Sequence, residues 1–215
     1  ARWLAMSAAA MARRSWPWRT PMRSRPGAAN RVLALLSKMF NLAEKWGLRP
    51  DGSNPCRHIE RYPERKMERF LSAEELARLG TVLSEAERTA TESPGVIAAI
   101  RLLIFTGARL GEILGLQWRD VDFERACLRL SESKTGAKVI HLNAPALEVL
   151  NGLERKEDNP WVIVGRDPKK PLVNLRKPWH RMRKAASLED VRLHDLRHSF
   201  ASIAAARDGV CTGGE

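Results

Sequence analysis

Apolar positions recur at helical spacing from Asn30 onward. In NRVLALLSKMFNLAEKWG, Val32, Leu35, Leu36, Met39, Phe40, Ala43 and Trp46 fall on one stripe, with Lys38, Asn41, Glu44 and Lys45 opposite. Steps of three and four residues put side chains on one face of an α-helix, so an amphipathic helix is predicted here, stopped by Gly47. The next stretch, RPDGSNPCRHIERYPERKMERF, loses all period to prolines, an Asp-Gly pair and mixed charge, and reads as a linker. Ser72 and Glu75 then form a capping box that opens the helix SAEELARLGTVLSEAER. Ser93-Pro94 starts another, GVIAAIRLLIFTG, which is apolar on most sides and is therefore expected at the centre of the fold. RLGEILGLQ follows as a short helix.

In the middle of the chain the signal changes to short β-type runs. CLRL and KVIHL are joined by SESKTGA, with Thr135-Gly136 as the turn, which predicts a hairpin. A Pro-started helix over 145–155, an apolar run WVIVG, a basic helix over 174–186 and a last helix beginning near His194 complete the pattern. The fold class expected is mainly α with a small antiparallel β-sheet (α+β). A helical piece spans 30–56, a basic linker 57–69, and a mostly helical domain runs from 70 to 215. Residues 1–29 show no period. They hold six arginines and no acid, and read either as a flexible basic arm or as sequence foreign to the fold.

Composition narrows the class. The 215 residues carry 37 Lys and Arg against 25 Asp and Glu, a net charge of +12. That surplus favours a polyanionic partner, most simply nucleic acid. No apolar run is long enough to span a bilayer, and the N-terminus lacks a clean apolar signal segment. The three cysteines, Cys56, Cys127 and Cys211, lie far apart without a CxxC pair, which excludes a zinc ribbon and fits a reducing compartment.

Four residues suggest chemistry. Arg109 lies between the central helix and the short helix after it, Lys134 at the tip of the hairpin, and His194 and Arg197 three apart on the last helix. Guanidinium groups bind phosphate oxygens in a fork and stay charged at any working pH. They would stabilise the charge that builds on a five-coordinate phosphorus. A lysine can protonate a departing sugar oxygen, and a histidine can relay a proton near neutral pH. Glu112, three residues after Arg109, can orient its guanidinium from behind. Each residue also has an ordinary reading: a helix-flanking arginine, an exposed turn lysine, a solvated helix face. His194 and His198, four apart, have no third ligand for a metal. His198 is expected to pack locally.

TGARLGEILGLQWRDVDF, SKTG between two short strands, and HDLRHSFAS resemble, in order, the motifs of the phage-integrase (tyrosine recombinase) family, over about residues 70–206. NRVLALLSKMFNLAEKWGLRPDGSNP is similar to the last helix of that family's N-terminal core-binding domain. The resemblance implies a tyrosine-recombinase catalytic domain preceded by part of a helical core-binding domain. It implies site-specific DNA recombination or integration, as mobile elements use, through a 3′-phosphotyrosine and with no metal or other cofactor. Arg109 and Arg197 would then clamp the scissile phosphate, Lys134 would act as general acid, and His194 would assist proton transfer. The implied partner is double-stranded DNA, held between two domains. Arg176, Lys177, Arg181, Arg183 and Lys184 on the basic helix, and Arg65 and Lys66 in the linker, would follow its backbone. A cytoplasmic, nucleoid-associated location goes with this, without a membrane partner, and so do tetramers on DNA.

The family pattern continues past HDLRH with an LGH-like motif and then the nucleophilic tyrosine. Here 18 residues follow Arg197 and none is tyrosine, while Tyr62, the one tyrosine, lies in the linker. Together with residues 1–29 and the tail RDGVCTGGE, this gives the expectation of a member interrupted at both ends. Without a nucleophile its covalent activity would be lost, and it would be monomeric or poorly assembled. Two other readings stay open. One is a non-catalytic duplex-DNA-binding module. The other is an unrelated basic helical protein, for instance RNA-binding, in which the four residues would be scattered.

Overall fold

Pro26, fixed in helical φ, opens the first helix four residues before the apolar stripe begins. The computed structural model describes residues 24–64, 69–131, 136–156, 158–165, 167 and 169–210, with side chains to Ile203. These fall into two compact units, divided between Met67 and Glu68.

In the first unit, helix α1 runs over Pro26–Lys45. Its covered face is not the predicted stripe. Ala29, Asn30 and Leu33 are buried, whereas Leu35, Met39 and Trp46 are exposed. The reason is the segment after the helix, which lies back along α1 and brings unpaired backbone with it. Backbone N–H and C=O groups need polar partners when covered, and asparagine amides supply them. Asn30 donates to the Tyr62 carbonyl at 2.8 Å and accepts its N–H at 2.9 Å. Asn54 donates to the Ser37 carbonyl at 3.1 Å and to Asn41 Oδ1 at 2.6 Å. Cys56 is buried beside this network, and burial pushes its thiol pKa up.

The second unit is built around one helix. The unit begins with α2 (Ala73–Arg88), capped by Ser72 and Glu75 in the predicted reciprocal box. Helix α3 (Pro94–Thr106) follows, and eight of its residues, Val96 to Thr106, are buried. A helix that is apolar all round must be covered all round. Accordingly α3 touches α2, the short α4 (Leu110–Leu114), α5 (Ala144–Asn151) and α7 (Leu193–Val210). Each fully buried Leu or Ile in this helix contributes about 1.5–3 kcal/mol relative to an exposed one. Helix α6 (Arg176–Ala185) packs on α2, and its Trp179 and Met182 are buried.

The sheet has three antiparallel strands in the order β1 (Val121–Asp122), β2 (Cys127–Leu130), β3 (Lys138–His141). Two-residue β1 carries too little pattern to be read from the sequence. The run at Trp161 forms no strand and makes only isolated bridges, Gln117 with Trp161 and Val164 with Pro171. The β2–β3 register pairs Leu128 with Ile140 and Leu130 with Lys138. Alternation then places Leu128, Leu130, Ile140 and Lys138 on one face of the hairpin, and Arg129, Val139 and His141 on the other. No described helix is long and apolar enough to cross a membrane.

Candidate functional site

The site begins at the turn that ends α3. Thr106 Oγ1 donates to the Leu102 carbonyl at 2.6 Å and accepts the Ala108 N–H at 3.2 Å, which tightens the turn. Gly107 caps the helix in the left-handed region, at φ 58°. A Cβ there would collide with the Phe200 ring of α7, so only glycine lets α7 come this close. The chain then presents Arg109 at the head of α4.

Glu112 holds Arg109 at two points. Its carboxylate accepts the Arg109 backbone N–H at 2.8 Å and the guanidinium at 2.9 Å. The Glu112 side chain is only 8 % exposed. Lys138, on the inward face of β3, donates to the same carboxylate at 3.1 Å. Burial pushes the Glu112 pKa up, but the hydrogen bonds from the Arg109 N–H, Lys138 and the Arg109 guanidinium outweigh it and hold the carboxyl below its ordinary value. One carboxylate between two cations leaves a net positive charge on the trio.

Helix α7 closes the site from the other side. Asp195, fully buried, accepts the Arg192 N–H at 2.8 Å and the Arg192 guanidinium at 2.7 Å, which fixes the first turn. Arg197 reaches back and donates to the Gly107 carbonyl at 2.7 Å. His194 and His198 meet edge to face, ring centroids 4.8 Å apart, and His198 meets Phe70 at 6.4 Å. Burial, followed by the like charges of His198 and Arg197, lowers the His194 pKa. Each of these causes favours the neutral imidazole over its cation.

A cavity of about 650 Å³ joins these elements. Its wall includes Ala108 and Leu110, though not the Arg109 between them, then His194 and Arg197 from α7, and Arg176 and Arg183 from α6, with no acidic side chain among the described residues. Helix α6 divides its cations between two faces. Arg176, His180 and Arg183 line this cavity, whereas Lys177 and Arg181 line a different one. Arg181 is engaged by Glu92 at 2.5 Å, and Arg183 donates to the Val191 carbonyl at 2.9 Å. Lys184 is exposed. Lys134, Arg65 and Lys66 lie outside the described residues, although the hairpin that carries Lys134 is rooted on Glu112 through Lys138. Among the described residues no three His, Cys, Asp or Glu side chains gather as a metal site.

Sequence reasoning missed Lys138, His180 and the Arg192–Asp195 pair. The strand parity of Lys138 and the three-residue spacing of Arg192 and Asp195 were the available signals.

Residues 69–208 match the Phage integrase family, and the chain belongs to that family. It is similar to prophage integrase IntF of Escherichia coli K12, 31 % identical over 52 % of this chain and 25 % of that protein. It is also similar to the shufflon-specific DNA recombinase of Escherichia coli, 28 % identical over 85 % of this chain and 45 % of that one. The chain thus spans a quarter to just under half of these curated relatives. A lambda integrase dimer bound to a COC′ core site shares the fold, with a TM-score of 0.65 at 19 % identity over 86 % of this chain and 69 % of that one.

Proposed function

We propose that this chain is the phosphate-gripping part of a site-specific DNA recombinase, with duplex DNA as its partner. Arg109 and Arg197 take the non-bridging oxygens of the scissile phosphate and offset the charge that builds on phosphorus. His194 moves a proton at that phosphate, and Lys134 protonates the departing 5′-oxygen. The segment 30–56 serves as part of a core-binding domain, 57–69 as a basic connection, and the catalytic domain begins at 70. The observation that carries this is the bond from Arg197 to Gly107, two residues before Arg109, with Arg197 and His194 both in the wall of a cavity that no acidic side chain lines among the described residues.

The only tyrosine in these 215 residues is Tyr62, in the first unit, its backbone held by Asn30. The 215-residue polypeptide is therefore expected to bind a nicked duplex without attaching to it. Binding to a short labelled duplex should weaken about tenfold for Arg109→Ala and for Arg197→Ala, the scale of one charge-assisted contact. Unchanged affinity in both variants would refute the phosphate-gripping role, and a protein–DNA adduct surviving denaturation would refute the lack of covalent chemistry.

A further inference from the structure

We infer that Lys138 is a positioning residue of this site: by occupying one oxygen of Glu112 it keeps Arg109 from folding down onto that carboxylate and leaves its guanidinium open to an anion. The inference rests on the reading above, in which Arg109 grips phosphate.

The argument starts from strand parity. Lys138 shares the inward face of the hairpin with Leu128, Leu130 and Ile140, all buried. A lysine is not stable on such a face without an acid, and Glu112 provides one at 3.1 Å. The oxygens of Glu112 are used unequally. Oε2 takes the Arg109 backbone N–H and Lys138 Nζ, while Oε1 takes one guanidinium nitrogen of Arg109. The other guanidinium nitrogens of Arg109 have no protein partner among the described residues. A free carboxylate beside an arginine closes into a fork, two parallel N–H···O bonds. Lys138 on Oε2 blocks that closure, so the spare donors of Arg109 stay unpaired on a side chain that is 35 % exposed. Leu130 with Lys138 is also the last described pair before the loop that carries Lys134. The same ion pair therefore sets the root of that loop relative to Arg109.

The test is a double-mutant cycle on the 215-residue chain, read by fluorescence anisotropy with a short labelled duplex. Lys138→Met should weaken binding about fivefold in the parent and at most about twofold in the Arg109→Ala background, because the two residues act through one another. Lys138→Arg keeps the ion pair and should bind within about twofold of the parent. Equal losses in both backgrounds would overturn the proposal, since Lys138 would then act without Arg109. A second readout needs no DNA: the guanidinium ¹⁵N–¹H signals of Arg109, identified by their loss in Arg109→Ala. They should shift in Lys138→Met, as the fork closes, and stay in place in Lys138→Arg. Signals unmoved in Lys138→Met overturn the proposal whatever the affinities show. If Arg109→Ala binds DNA as tightly as the parent, the phosphate reading fails, and these signals alone decide the role of Lys138. Lys138→Gln takes the place of Lys138→Met if the methionine variant does not fold.

Discussion

The Arg197 guanidinium is bonded to the Gly107 carbonyl at 2.7 Å across 90 positions of sequence. This contact joins α7 to the turn that closes the central helix α3. The approach depends on Gly107, whose φ is 58° and whose missing side chain leaves room for Phe200. Gly107→Ala is expected to cost about 2–4 kcal/mol, roughly 1 from the left-handed backbone and the rest from overpacking. A thermal melt should show the loss, and Phe200→Leu in the same chain should recover part of it. An unchanged melt would mean that the turn does not need glycine.

The division of α6 predicts different behaviour for two of its arginines. The Arg176 guanidinium lines the cationic cavity and has no protein partner among the described residues, whereas Arg181 is held by Glu92, whose side chain is 6 % exposed. Arg176→Ala should weaken DNA binding and reduce the slope of log affinity against log salt by about 0.9, one phosphate contact. Arg181→Ala should leave that slope unchanged and lower the melting temperature, because a covered carboxylate loses its partner. Titrations at several salt concentrations separate the two.

Acid should loosen the second unit in a defined window. Hydrogen bonds from Arg69 pull the Glu75 pKa from 4.5 down to about 2. Burial raises the Asp195 pKa, but the Arg192 side chain and N–H outweigh it and leave the carboxyl below its usual value. A carboxyl with a depressed folded pKa stabilises fully above its unfolded pKa, and that contribution is lost as pH falls through the folded one. Stability should therefore hold down to about pH 4.5 and decline steadily toward pH 2. Glu75→Gln should flatten this decline in denaturant melts taken at a series of pH values.

The His194 ring should titrate below the usual 6.5, since burial and the charges of His198 and Arg197 all disfavour its cation. A histidine with a lowered folded pKa stabilises above its unfolded value and loses that contribution as pH falls below it. His198→Ala removes a like charge and uncovers the ring, so the His194 midpoint should rise. Imidazole NMR titration checks this, and a midpoint that stays put or falls would contradict the electrostatic account of the pair.

Much of the second unit was legible in the sequence because its signals are local. The box of Ser72 with Glu75, the Pro94 start and the two short strands each depend on neighbours a few residues apart, and each appears where read. His194 and Arg197 share a cavity wall, as a three-residue helical step requires. The inner face of α1 was not legible. It is chosen by backbone that returns from Tyr62 to Asn30, a pairing over 32 positions that no periodicity encodes. The splitting of α6 was equally hidden. A run of five cations looks uniform in sequence, and only Glu92, 89 positions from Arg181, distinguishes one side from the other.

The Leu71 N–H is satisfied by Ser199 Oγ at 2.9 Å, a partner 128 positions downstream. A nascent chain leaving the ribosome cannot make this bond until α7 has emerged, and α3 keeps one apolar flank wet until then. Completion of this unit thus waits on α7, and the interval before it emerges is the one in which a chaperone would find the most to hold.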